Sequence, residues 1–164
     1  MAFEVVVSGA EELEAGLAED VALENARRKA RAVADQRPGE LVLGVDTVVE
    51  LGGGLYGKPT DRAEAEATLR SLAGTDHRVV SGLCLIQSDR ERRASATTVV
   101  TFTPVDETIL TWYLDCEEWR GRAGGYAIQG RGAVLVDSIQ GDFLNVVGLP
   151  VNTLLELEPG LLRG

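Results

Sequence analysis

Residues 41–51 read Leu-Val-Leu-Gly-Val-Asp-Thr-Val-Val-Glu-Leu, an apolar, β-branched run with a carboxylate at its centre. Apolarity this continuous predicts a strand buried on both faces. An ionised carboxylate inside such a strand is costly unless it is paired, hydrogen-bonded or bound to metal. Asp46 is thus the residue that any fold of this chain must accommodate. Period-two alternation puts it on the face of Val42, Gly44 and Val48, and Gly44 leaves open space two residues away. A strand surfacing at its end or a buried structural ion pair would explain Asp46 without function. Carboxylates in such settings often serve chemistry, and that reading is favoured.

The rest of the chain predicts one α/β domain over residues 1–164, a mixed β-sheet with flanking helices. Residues 3–8 (FEVVVS) read as a short strand. A helix is expected over 19–35, with Leu23, Ala26, Ala30 and Val33 on its buried face. GGGLYGKP (52–59) reads as a turn or loop, and Asp61 with Glu64 as a capping box opening a helix closed by Gly74. Residues 77–88 and 94–104 suggest an antiparallel hairpin around a polar turn that includes the arginines at 90–93. Ile109, Trp112, Tyr113 and Cys116 fall at helical spacing. A strand at 133–139, a shorter one near 143–147 and a helix after Pro150 complete the pattern.

Composition removes several functions. Sixteen basic and 26 acidic residues give a net charge of −10, which argues against a nucleic-acid partner. No apolar run approaches the roughly 18 residues of a membrane span, and the start lacks a signal-peptide pattern. Cys84 and Cys116 form no CxxC pair, and His77 as the single histidine cannot build a His-rich zinc site. A cytoplasmic enzyme or small-molecule binder remains.

Lysine usage is the second clue. Of the 16 basic residues, only Lys29 and Lys58 are lysines. A compact ammonium at two places in an arginine-rich chain suggests a point charge for a phosphate oxygen. Lys29 leaves the border of the buried helix face, and Lys58 follows the Asp46 strand. GGGLYGK matches G-x-x-x-x-G-K, but Pro59 supplies neither the hydroxyl nor the N–H of a P-loop, so that motif is rejected. In AGGYAIQGRG (123–132) the glycines allow close backbone approach, and the Gln129 amide can pair with a base edge.

The ordered motifs GVDTVV, GKP, VVSG, VTF, AGGYAIQGRG and NVVGLP resemble the Maf-type nucleoside triphosphate pyrophosphatases over nearly the whole chain. The resemblance implies a Maf/Ham1-like fold and hydrolysis of a nucleoside triphosphate to the monophosphate and pyrophosphate. It implies Asp46 as general base, Lys29 and Lys58 around the triphosphate, and Glu12 (Glu11 in the alternative register) with Asp46 at a divalent metal, Mg²⁺ or Mn²⁺. Thr47 and Gln129 look like the dTTP- and UTP-preferring branch; a branch preferring a methylated guanine nucleotide tends to carry an acid at position 129. A cytoplasmic homodimer is also implied.

One departure stands out. Family members usually begin with a strand, an S-x-S-P-R-R phosphate loop and a helix, none of which precedes FEVVV here. A start site assigned too far downstream is the favoured account. The competing account is a weak or inactive nucleotide-binding regulatory protein linked to cell-division arrest. Either way, an exposed strand edge beside Asp46 is expected.

Overall fold

The computed structural model describes residues 3–161. Strands β1 (Val42–Leu51), β2 (Gly54–Tyr56), β3 (Asp76–Gln87), β4 (Arg90–Phe102) and β5 (Val136–Gln140) form one sheet in the order β2–β1–β3–β4–β5. Every pairing is antiparallel, so the expected α/β class with flanking helices holds while the sheet is not mixed. Local turns explain two of the four pairings. Gly52 and Gly53, with φ of 59° and 86°, join β1 to β2, and Ser88–Asp89 joins β3 to β4. Two-residue turns connect only antiparallel neighbours. The first of them turns part of the expected 52–59 loop into β2, a strand that its glycine-rich sequence conceals.

Helix α1 (Ala18–Ala34) lies on one face of the sheet, over Val42, Gly44, Val80 and Cys84. Its contact seam is Ala18, Ala22, Ala26 and Ala30, one residue per turn. Facing them are glycines. A Cβ on Gly44 would overlap the Ala26 carbonyl oxygen and lie 2.7 Å from Ala30 N; one on Gly82 would overlap the Ala22 carbonyl and lie 2.5 Å from Leu23 N. The helix backbone therefore rests directly on the strands. This close approach rotates the expected helix face: Val21 and Asn25 are buried, while Leu23 and Val33 are only half-buried.

The opposite face carries the larger core. Val49, Val79, Val100 and Phe102 pack with residues of α2 (Arg62–Leu72) and α3 (Glu107–Asp115), and with Trp119. Asp61 caps α2 by accepting from Glu64 N at 2.8 Å; the Glu64 carboxylate closes the box on Thr60 N, one residue before the cap. Leu154 of α5 (Val151–Leu157) packs on Leu83 and Leu85. Only one face of β1 is well covered along its length, and Leu43 is exposed, so burial on both faces does not hold throughout.

Other expectations change as well. Residues 3–8 form no strand and pair with none of the five, and Val7 is 92% exposed; β-branched composition reflects fit to a pleated, half-buried surface and does not order a strand by itself. Arg90–Arg93 lie within β4, because the turn is only two residues long. Residues 131–135 are a 3-10 segment before β5. The expected strand near 143–147 is helix α4 (Phe143–Val147), capped by Asp142, which accepts from Leu144 N, and ended by Gly148 at φ 118°. In α3, Trp112 is exposed and the buried face is Leu110, Tyr113 and Leu114. Among the described residues, no helix is long and apolar enough to cross a membrane.

Gly82→Val should lower stability by about 3 kcal/mol or more, since a strand side chain there meets helix backbone that cannot yield locally. A fall in the urea midpoint at unchanged slope is the expected reading.

Candidate active site

Asp46 projects from β1 toward α1 and is 6% exposed. Two side chains one helical turn apart meet it. Lys29 Nζ donates to Asp46 Oδ1 at 2.6 Å, and Asn25 Nδ2 donates to Asp46 Oδ2 at 3.0 Å. Lys29 Nζ also lies 2.8 Å from Glu12 Oε1. Gly82 stands directly opposite Asp46 in the sheet, so the surface that lets α1 approach also brings these donors within reach. Burial by itself would lower the Lys29 pKa. The hydrogen bonds and charges of Asp46 and Glu12 outweigh it, and the net shift is upward, so the ammonium stays charged.

Lys29, Asp46, Thr47, Lys58, Arg122 and Gln129 all line one cavity of about 200 Å³. The two lysines and the carboxylate singled out from the sequence thus share one cleft. Thr47 points to the other face of the sheet, where its hydroxyl shares a 2.8 Å hydrogen bond with that of Ser81. Both faces reach the cavity because β1 pairs with β2 only at Val49–Leu51. Along 42–48, the side of β1 away from β3 has no strand neighbour among the described residues, as expected, and the cavity wraps this edge.

The loops bearing Lys58 and Gln129 are tied together. Gly124 N donates to Gly57 O at 3.0 Å, and Gly125 packs against Pro59. Gly124 has φ 67°, and a Cβ there would come within 2.8 Å of Val49, so glycine is required twice over. Tyr126 floors the cavity and shares a 2.8 Å hydrogen bond with His77 Nε2. Burial pushes His77 down to about 4, against a small opposing pull from Asp76.

The sequence points to Asp46, Lys29, Lys58, Thr47, Gln129 and Glu12 as one site; the structure puts the first five around one cavity, and Glu12 joins them through Lys29. Glu12, rather than Glu11, faces Lys29; Glu11 contributes its carbonyl to Arg28. Three residues escaped notice. Asn25 had only a faint signal, a polar residue at helical spacing with Ala18, Ala22 and Val21 and four residues before Lys29. Ser81 had a weaker one in VVSG. Arg122 had none, being one arginine among many.

Among the described residues, no group of three or more His, Cys, Asp or Glu could hold a metal by itself. The donor set suits a different arrangement, one or two carboxylates completed by substrate phosphates, as Mg²⁺ favours. Glu12 Oε2 accepts no hydrogen bond among the described residues, and each Asp46 oxygen accepts one.

The family model described as "Maf-like protein" matches residues 1–158. The chain belongs to the Maf-like family. This Maf-like chain is 47% identical over 132 residues to a dTTP/UTP pyrophosphatase of Symbiobacterium thermophilum, covering 80% of this chain and 68% of that protein. It is 43% identical over 159 residues to one of Deinococcus radiodurans, covering 96% and 82%. A protein of the same name from Pyrococcus furiosus is 41% identical over 138 residues, covering 84% and 73%.

Two outcomes follow for this site. Lys29→Met leaves Asp46 buried without its cation and should lower unfolding free energy by about 3 kcal/mol. His77 is held neutral when folded, so between about pH 6.5 and 4 the unfolded chain binds the extra proton. Stability should fall with falling pH in that window, and His77→Phe should flatten that part of the slope in denaturant titrations.

Proposed function

We propose that this chain hydrolyses dTTP and UTP between the α and β phosphates, releasing the monophosphate and pyrophosphate. The observation that carries the reading is the Lys29–Asp46–Glu12 network opening on a cavity that Lys58 also lines. The names of the relatives support the substrate choice.

In this mechanism Asp46 orients and deprotonates the attacking water. Its two oxygens each accept one hydrogen bond, which holds the carboxylate still and leaves lone pairs for the water. Lys29 and Lys58 offset the charge that builds on the phosphate oxygens. Lys58 makes no ion pair among the described residues, so its charge is available to substrate. Thr47 and Gln129 read the base from the opposite side of β1. Glu12 and Asp46 would hold Mg²⁺ or Mn²⁺ together with phosphate oxygens, and that ion would supply further charge neutralisation. A homodimer acting in the cytoplasm is part of the same proposal and rests on the family resemblance.

Purified protein incubated with dTTP, UTP or ATP and Mg²⁺ or Mn²⁺ should release pyrophosphate and monophosphate from the first two. Release of orthophosphate and the nucleoside diphosphate with no pyrophosphate sinks the reading, and tight binding without products favours a non-catalytic nucleotide binder. Asp46→Asn should lower kcat by about 10²–10⁴-fold. Gln129→Glu should change the ratio of kcat/KM between pyrimidine and guanine triphosphates by about 10-fold or more.

A further inference from the structure

Asn25 is 1% exposed, yet every polar atom of its side chain is used. Its Nδ2 donates to Asp46 Oδ2 at 3.0 Å and to Leu13 O at 3.0 Å, and its Oδ1 accepts from Leu13 N at 2.7 Å. The amide therefore grips both backbone groups of Leu13, as a neighbouring strand would, while its second N–H reaches the carboxylate. Leu13 immediately follows Glu12, whose carboxylate reaches Lys29 Nζ.

The segment carrying Glu12 has little else to place it. Residues 3–14 form no regular structure, and both Glu11 and Glu12 are exposed. The described tertiary polar contacts of residues 10–14 are the two hydrogen bonds that Asn25 makes with Leu13, the one that Arg28 donates to the Glu11 carbonyl, and the Glu12–Lys29 ion pair, so the backbone of the segment is held mainly through Leu13. An amide is well suited to the position because it offers donors and an acceptor without charge. Leucine has a similar branching pattern but offers neither. Aspartate keeps the acceptor for Leu13 N and loses both donors.

We propose that Asn25 is a positioning residue that locks the Asp46 carboxylate and the Glu12 segment into one geometry. It acts on the reaction only through Asp46. It fixes the orientation of Asp46 from the side opposite Lys29 and sets the distance from Glu12 to the shared ammonium. This rests on the reading of Asp46 as the catalytic base, but its structural half can be measured without turnover.

The test compares the full chain with Asn25→Leu and Asn25→Asp. Amide hydrogen exchange is followed over residues 10–16, and steady-state pyrophosphate release from dTTP with Mg²⁺ is measured in parallel. In Asn25→Leu, exchange at Leu13 should speed up by about 10-fold or more, while amides of the central strands keep their protection. Its kcat should fall by about 10- to 100-fold, with KM changing less than about threefold. Asn25→Asp should retain much of the Leu13 protection and still lose kcat, separating the clip from the orientation of Asp46. Unchanged Leu13 exchange in Asn25→Leu, or kcat within about twofold of the parent in both variants, overturns the proposal. So does a loss of kcat matched by general loss of protection in the central strands of both variants. If the parent chain itself releases no pyrophosphate, the enzymatic reading has failed instead, and Leu13 exchange alone decides the clip.

Discussion

The contact between Lys29 and Asp46 is the constraint around which the molecule is arranged. A carboxylate so nearly buried is tolerable only with its counter-charge and hydrogen bonds in place, and removing either partner strands the other. The pair spans two elements, so it can form only if α1 comes close to the sheet. The alanine seam of the helix and the glycines at 44 and 82 provide that approach, and they sit on the same face of the sheet as Asp46. Backbone packing and site chemistry are therefore one problem with one solution.

The α/β class and the residues that gather around one cavity were legible in the sequence, while several individual elements were not. Asp46 announced itself because a charge among aliphatic residues violates a strong rule, and the two lysines stood out against fourteen arginines. Signals of that kind survive without knowledge of the neighbours. Elements were misread where tertiary contacts decide. FEVVVS has strand propensity but pairs with no strand, Phe143–Val147 looks like a strand but is capped as a helix, and β2 hides among glycines. Asn25 shows the same limit within the site. Its type is unremarkable in a helix, and only the positions of Leu13 and Asp46 reveal what its amide does.

Burial also separates the roles of the ionisable groups. Lys29 keeps its charge because two carboxylates outweigh desolvation, whereas His77, buried beside Phe102 and Tyr126, loses its own. The same physical cost of burying charge thus yields an ion-pair network on one side of β1 and a neutral aromatic floor on the other.

The open edge along 42–48 gives the pleat of β1 an unusual consequence. Asp46 and Thr47 are consecutive, yet alternation sends one toward Lys29 and Asn25 and the other toward Ser81. A ligand lying across this rim meets the Lys29–Asp46 pair on one flank and the Thr47 hydroxyl on the other, with a single peptide bond as the divide. Substitutions on the Thr47 flank therefore leave the Lys29–Asp46 contact in place, and the two sides of this rim are free to change independently of each other.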